Sequence, residues 1–398
     1  GLQLVNIGHG RQEVIEAAYK QMKELEYWHC FAGYIPYTTA KLAEKISTLT
    51  PGNLKTFHFV NSGSEGNDTA FKIARAYFKK KGLAKYKIIY RDKAYHGMSM
   101  GAVSASGVSQ FKTPYEPLVP GFVSIPNCHC YRCPFDKTYP SCNIDCARAL
   151  EKRILEEGPE SVAGFIVDPV QGTSGGYIPA VKEYFGIIRE ICDKYQVLLI
   201  DDEVVTGFGR TGKMFGIEHY PGVIPDIMVM AKGLCSGYQP IGAVVSSEEI
   251  FSTLQDSMFT HGFTYGGHPV AAAAALANID IIEKENLVQK AFETGEYITG
   301  LLHDFTHHKS VGEVRSKGMI FALESVQNKE TKEPFPSTKP FVDKVAETAF
   351  RKGLILRQGS SGCSLLLCPP LIMTREIADE MIEILDEAIT EVEKEYEL

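Results

Sequence analysis

The sequence predicts an α/β protein with a large domain, built on a seven-stranded and mostly parallel sheet, and a smaller α+β domain. Short apolar, β-branched runs recur along the chain with helical patterns between them, which is typical of strands buried on both faces. A chain of 398 residues is also long for a single core. The pattern changes near residue 288, after which helices dominate.

The predicted elements divide between the two domains. The strands of the large domain are predicted at 57–60, 88–90, 122–125, 165–167, 197–200, 227–230 and 241–245. Apolar spacings of three and four predict helices over 67–80, 181–195, 288–305, 340–352 and 374–396. Strand-like pieces follow residue 288 at 318–323 and 364–367. We therefore expect a large domain over 36–287 and a small domain formed by 1–35 and 288–398.

Composition and charge exclude several classes of function. Apolar residues make up 44% and charged residues 23%, as in ordinary globular proteins. The formal net charge of -8 and the lack of a basic run argue against binding to nucleic acid or to an anionic membrane. The apolar stretch 270–277 is too short to span a bilayer. The sequence begins at Gly1, so we expect further residues upstream, with any targeting segment among them.

The ten cysteines form two groups. Half of them stand singly among apolar or small neighbours, as buried thiols of a reducing compartment do, and they predict a cytoplasmic protein. The other five are clustered within one segment: Cys128, Cys130, Cys133, Cys142 and Cys146. Their spacing is acceptable for a structural zinc site, but such spacing often arises without one. We predict no metal in the active site and leave a metal at this cluster open.

The first candidate for ligand binding is the segment 61–68, Asn-Ser-Gly-Ser-Glu-Gly-Asn-Asp, between a predicted strand and a helix. Gly63 allows close approach of the backbone, and a helix N-terminus offers free N–H groups, so the segment could bind a phosphate. The alternative is an ordinary turn and helix cap, with Ser64 as the capping residue.

Two further candidates follow predicted strands. Asp201, Asp202 and Glu203 come directly after the strand 197–200, where a carboxylate can pair with a protonated ring nitrogen; the alternative is a solvated acidic loop. Lys232 follows the strand 227–230, where desolvation can turn an amine into a nucleophile; the alternative is a surface lysine. A Gly-rich loop over 261–269 then precedes a predicted helix at 270–282.

Together these motifs resemble the class III aminotransferases of the pyridoxal-phosphate fold-type I superfamily. The resemblance covers nearly the whole chain, with the motifs in family order at 61–65, 95–97, 168–172, 202–212, 232, 264 and 369–371. It implies an enzyme that binds pyridoxal 5'-phosphate and moves an amino group from an amine donor to a keto acid by a ping-pong mechanism. A lyase or an aminomutase on the same fold is the alternative enzyme, and a cofactor-holding protein without catalysis is the alternative outside enzymes.

The resemblance also implies roles at the cofactor ring. Lys232 is expected to carry the cofactor as a Schiff base and to move the proton of the substrate carbon. Asp202 is expected to pair with the ring nitrogen. Tyr95 and Val204 are expected to contact the two faces of the ring. His96 is expected to contact the residues that bind the cofactor and not to take part in catalysis itself.

Further positions are implied around the cofactor's phosphate and hydroxyl groups. Gly63 and Ser64 are expected to hold the phosphate. Thr264 is expected to hold the phosphate of the neighbouring subunit, which implies a homodimer or a dimer of dimers. Asp168 stands where the family has a longer Glu near the ring hydroxyl.

The same resemblance suggests a substrate class. Thr173 and Leu366 stand where ornithine-type members carry a Glu and an Arg, which argues against that type. Arg357 resembles the mobile Arg of the ω-amino acid:pyruvate branch, whose planar fork can meet a carboxylate or a sulfonate; its alternative is a surface Arg. Gln3 replaces an aromatic of that branch, and Trp28 is a candidate wall of the same pocket. Taurine or β-alanine with pyruvate is the predicted pair.

Overall fold

The computed structural model describes residues 1–31, 33–256, 259–360 and 362–398. Its strands are β1 Leu54–Val60, β2 Lys87–Arg91, β3 Phe122–Ile125, β4 Val162–Val167, β5 Val170–Gln171, β6 Ile178–Pro179, β7 Leu198–Asp202, β8 Ile227–Met230, β9 Gly242–Ser247, β10 Val311–Ser316, β11 Phe321–Ser325, β12 Arg357–Gln358 and β13 Ser364–Leu367. Its helices are α1 Gln12–Glu24, α2 Tyr37–Ser47, α3 Gly63–Lys80, α4 Met100–Ser104, α5 Ser109–Lys112, α6 Asp145–Glu157, α7 Tyr184–Tyr195, α8 Glu248–Leu254, α9 Pro269–Lys284, α10 Leu287–His303, α11 Phe341–Arg351 and α12 Arg375–Glu395.

The large sheet has seven strands in the order β1-β9-β8-β7-β4-β2-β3. Neighbouring strands run parallel, except that β9 is antiparallel to both β1 and β8. Strands β4, β7, β8 and β9 are buried along their whole length, because helices cover both faces of the sheet. The prediction of an α/β fold with a seven-stranded, mostly parallel sheet is confirmed, and each predicted strand overlaps one of these seven.

A second sheet has the antiparallel order β10-β11-β13-β12. Helices α11 and α12 pack against each other beside it, and α10 contacts both α12 and β10. The N-terminal helix α1 packs on α9, which follows the last strand of the large sheet. The sequence patterns missed β10 and β12, and the domain boundaries stay a prediction.

Side-chain hydrogen bonds fix the N-terminus of helix α3 directly after β1. Ser62 is its N-cap: the backbone is extended there, and the hydroxyl of Ser62 accepts a hydrogen bond from the Glu65 N–H at 3.2 Å. The Glu65 carboxylate in turn accepts from the Asn61 N–H at 2.7 Å. The cap is therefore Ser62 and not Ser64, which leaves the Ser64 side chain available for other contacts.

Among the described residues, none of the helices combines the length and the apolar character that a membrane span requires.

Candidate active site

A cavity of about 760 Å³ lies where β1, β2, β4, β7 and β8 end. In open α/β sheets, ligands bind at this edge. The predicted residues that line the cavity are Gln3, Gly63, Ser64, Tyr95, His96, Asp168, Asp202, Val204, Lys232 and Arg357. Residues distant in sequence thus meet in one concave site.

Lys232 is positioned by strained backbone. It begins a short 3₁₀ turn after β8 and has a φ of 37°, which is unusual for a residue other than glycine. Burial lowers the pKa of its amine, while the negative charge of Asp202 acts in the opposite direction. A lowered pKa increases the fraction of neutral amine, which is the nucleophilic form.

Asp202 is the last residue of β7, and its carboxylate is held on three sides. The oxygen Oδ2 accepts hydrogen bonds from Asn67 Nδ2 at 2.9 Å and from His96 Nδ1 at 2.7 Å. The oxygen Oδ1 accepts from the Val204 N–H at 3.1 Å. Since the donors stabilise the ionised carboxylate, Asp202 can place a fixed negative charge in the cavity.

Asn67 contacts Asp202 directly, although none of the sequence motifs predicts a role for it. It lies four residues after Gly63 on α3, which places both residues on the same helix face. This spacing of four residues is the one feature of the sequence that could have indicated that Asn67 faces the site. The Asn67 amide also donates to the His96 carbonyl at 2.7 Å, so it ties the loop after β2 to the end of β7.

Alternation along β7 distinguishes the three neighbouring carboxylates. Asp202 lines the cavity, whereas Asp201 and Glu203 do not. Both oxygens of Asp201 are buried with no hydrogen-bond partner in the described structure, and burial together with the nearby Glu203 raises its pKa well above the usual range. Burial also raises the pKa of Glu203 to about 7, although Thr206 and the Ile217 N–H donate to it.

The N-terminus of α3 forms a tight cradle. A Cβ on Gly63 would lie 2.9 Å from the methyl groups of Val204, and one on Gly97, where φ is 127°, would lie 2.4 Å from Ser64 Oγ. The Met98 N–H donates to the same hydroxyl at 3.1 Å. The first N–H groups of a helix lack partners within the helix, and its dipole favours an anion there. The cavity therefore offers a helix N-terminus for a phosphate, the Asp202 carboxylate for a ring nitrogen and the Lys232 amine for a Schiff base. These three groups fit pyridoxal phosphate.

Asp168 lines the cavity but is already engaged within the protein. Its Oδ1 lies 2.6 Å from Arg91 Nη2, and its Oδ2 accepts from the Gly172 N–H at 2.7 Å. The Arg91 side chain is fully buried. The only signal of this pair in the sequence is a charged residue, Arg91, at the end of a buried strand. The pair fixes the Asp168 carboxylate at the wall of the cavity.

A second part of the cavity wall, the open end, is formed by more exposed residues. Gln3, at a φ of 64°, and Arg357 on β12 both line it, and Arg357 is exposed. In the described residues Arg357 has no carboxylate within 4.0 Å. Burial raises the pKa of the Tyr95 hydroxyl, and the charge of Arg357 opposes that rise, so the guanidinium acts on the cavity electrostatically.

Two predicted residues lie outside this cavity. Trp28 is 45% exposed and stacks on His29. Thr264 is exposed in the turn before α9, and its carbonyl accepts from the Tyr27 hydroxyl at 2.7 Å. A single chain therefore brings neither residue to the ring-binding groups.

Comparison with known proteins gives a consistent result. The family model "Aminotransferase class-III" matches residues 1–389. A putrescine–pyruvate aminotransferase from Pseudomonas aeruginosa is 41% identical over 96% of this chain and 83% of its own length. A taurine–pyruvate aminotransferase from Bilophila wadsworthia is 39% identical over 100% and 88%. The solved structure of an (S)-enantioselective omega-transaminase from Thermomicrobium roseum has a TM-score of 0.95 and 42% identity, covering 98% and 87%.

Proposed function

The chain belongs to the class III aminotransferase family, a family of pyridoxal-phosphate enzymes, and we propose that it transfers the amino group of an ω-amino acid or a related amine to pyruvate. One observation carries the proposal: Lys232, Asp202 and the Gly63–Ser64 cradle face the same cavity. Relatives named for putrescine with pyruvate and for taurine with pyruvate support this choice of acceptor. We assign two half-reactions, in which the donor leaves as a carbonyl compound and the keto acid then takes up the amino group.

The proposed mechanism rests on how the chain holds charges and protons. The bound cofactor would supply an electron sink for the bond broken at the donor carbon. The Nζ of Lys232 would take the proton from that carbon and pass it on to the bound cofactor, because a desolvated amine is neutral enough to act as a base. Asp202, held by Asn67 and His96, would provide the negative charge for the ring nitrogen. Tyr95 and Val204, which line the same cavity, would contact the two faces of the ring.

Arg357 is the residue we assign to the substrate's acidic group. A buried carboxylate or sulfonate is unfavourable without a cationic partner. Arg357 lines the cavity without an ion pair to any described residue, and its guanidinium can meet either acid with two parallel hydrogen bonds. Gln3 adds a polar group at the same end. Taurine or β-alanine with pyruvate is therefore the proposed pair.

A panel of donors and acceptors tests the proposal directly. We expect taurine or β-alanine to give faster turnover with pyruvate than with 2-oxoglutarate, and to exceed an uncharged amine of similar length. Products would be quantified by mass spectrometry. Faster turnover with 2-oxoglutarate would exclude pyruvate as the main acceptor, and elimination products without keto-acid consumption would indicate a lyase.

We also propose a homodimer in which Thr264 completes the partner's phosphate site, since Thr264 lies outside its own cavity. Mixing two inactive variants would test this. In a dimer of Lys232→Ala and Thr264→Ala chains, one site would combine an intact Lys232 with an intact Thr264, so activity should return. If Thr264 served its own chain, no site would be intact and the mixture would stay inactive.

A further inference from the structure

A second cluster of chemically active side chains lies outside the active-site cavity. His307 and His308 follow α10, and Asp386 lies on α12. Across residues 1–31, 33–256, 259–360 and 362–398, this is the one group of at least three His, Cys, Asp or Glu side chains whose ligand atoms all lie within 4.8 Å of one another. None of the three lines the active-site cavity.

The tautomer of His307 is set by its backbone contact. Its Nδ1 lies 2.6 Å from the Asp304 carbonyl oxygen, which can only accept, so Nδ1 carries the proton. In the neutral ring, Nε2 then presents a lone pair. That atom lies 3.7 Å from the Asp386 oxygen Oδ1. A lone pair facing a carboxylate oxygen is repulsive unless a positive charge lies between them.

His308 has a related arrangement and is almost fully buried. Its Nδ1 lies 3.2 Å from Glu393 Oε2, and its Nε2 lies 2.9 Å from Asp386 Oδ1. The Ser310 N–H donates to the other Glu393 oxygen at 2.7 Å and fixes that carboxylate. A neutral imidazole has one N–H and can donate to only one carboxylate. The second ring nitrogen of His308 therefore needs a positive charge between it and its carboxylate. Either a proton or a metal ion could supply that charge.

We propose that His307, His308 and Asp386 bind a divalent transition-metal ion, with Zn²⁺ as the best match. Each histidine has its Nδ1 on an oxygen acceptor and its Nε2 toward Asp386, which is how metal-binding histidines are oriented. Zinc bonds of about 2.0–2.2 Å separate tetrahedral N and O ligands by roughly 3.3 Å. Asp386 Oδ1 lies 2.9 Å from His308 Nε2 and 3.7 Å from His307 Nε2, and these two distances lie on either side of that value. The side chain of His307 is 61% exposed, so water can take the fourth position.

The ion would act as a structural clamp. It would link the segment between α10 and β10 to the final helix α12, two parts of the chain that are 78 residues apart at His308 and Asp386. The chemistry of the active site would be unaffected, because none of the ligands belongs to the cavity. This site was absent from the sequence prediction, which placed its only possible metal at the cysteine cluster.

Equilibrium dialysis of the holoenzyme against ZnCl₂, followed by metal analysis, tests the site. We expect wild type to bind one more equivalent of zinc per chain than His307→Ala. The matched control is His303→Ala, an exposed histidine four residues earlier, which should bind as wild type does. Asp386→Asn keeps the side-chain shape and should weaken binding on the order of tenfold or more. Zinc should raise the thermal midpoint of wild type and of His303→Ala but not of His307→Ala.

The cysteine cluster is a competing zinc ligand and needs its own control. The variant Cys130→Ser with Cys133→Ser should keep the equivalent that His307→Ala loses. Equal zinc binding by wild type and His307→Ala would overturn the proposal. So would loss of the equivalent in the double Cys variant alone, which would place the ion at the thiols. A shift in thermal midpoint with pH but not with zinc would show that the cluster takes up a proton instead.

Discussion

The two ends of the active-site cavity are built differently. At the end proposed for the cofactor ring, Asp202 accepts three hydrogen bonds, and its partner Asn67 is itself bonded to the His96 carbonyl. At the end proposed for the substrate, Arg357 is exposed on a two-residue strand and Gln3 lies in left-handed backbone. The first end is fixed by the sheet and α3, whereas the second is formed by the loop that contains Gln3 and by the short strand β12.

We infer from this difference that substrate preference can change without loss of the cofactor-binding end. Buried charges must be fully paired, so the ring-binding end tolerates little change. Exposed side chains on short segments can be exchanged at low cost in stability, so the open end can vary with the donor. Substitutions at the first end should therefore remove the chemistry, and substitutions at the second should change which substrate is preferred.

Replacing Lys232 should have the largest effect. Lys232→Ala should lose both covalently trapped cofactor after borohydride reduction and at least the roughly 10²–10⁴-fold rate contribution of a positioned proton carrier. Mass spectrometry of the reduced protein and steady-state turnover measure the two effects. Lys317→Ala, another lysine with a pKa lowered by burial, is the control and should retain both. Covalent trapping in Lys232→Ala would mean that another lysine carries the cofactor.

The neighbouring carboxylates on β7 give a sharper comparison. Asp202→Asn should raise the barrier by roughly 3–4 kcal/mol, as for other preorganised charge partners, because a neutral amide cannot stabilise a protonated ring nitrogen. Asp201→Asn should stay within about tenfold of wild type, since burial already favours the neutral acid at that position. Single-turnover rates would be compared after circular dichroism shows that both variants fold. Equal losses would mean that the two carboxylates act as one group.

The open end should respond in KM and not in kcat. Arg357→Ala should raise the KM for pyruvate and for taurine or β-alanine roughly tenfold, because a charge-assisted hydrogen bond is lost. The donor half-reaction of an uncharged amine should change little. Arg351→Ala removes an exposed Arg from α11 and is the control. Equal losses for acidic and neutral donors would make Arg357 a structural residue and remove the main support for acidic donors.

The smallest effect is expected at the cap of α3. Ser62→Ala and Thr374→Ala each remove a side-chain cap, from α3 and α12, and each should cost about 1 kcal/mol of stability. Only Ser62→Ala should also weaken cofactor retention, since only α3 begins at the cavity. Thermal denaturation and cofactor release on dialysis separate the two effects. Comparable cofactor release from both variants would argue that α3 contributes stability alone.

The sequence by itself determined much of the fold and the list of candidate groups. Buried strands of a parallel sheet are nearly continuous apolar runs, so local composition is sufficient to mark them. Lys232, Asp202 and the segment 61–68 follow such runs directly, and parallel strands bring their carboxyl ends to one edge. Local pattern and topology therefore agreed at the ring-binding end of the cavity.

Only the tertiary structure decided which partner each charged group has. Arg91 meets Asp168 across 77 residues, and His308 meets Asp386 across 78. No local periodicity records such pairs, because they depend on how separate elements pack. The same reason applies to Trp28, a predicted wall of the substrate pocket that lies outside the cavity of the described chain. Thr264 also lies outside that cavity, and its predicted role in the neighbouring subunit stays a prediction. Period-two alternation marks the side of β7 on which Asp202 lies, but the packing of α3 and the loop after β2 fixes what holds it.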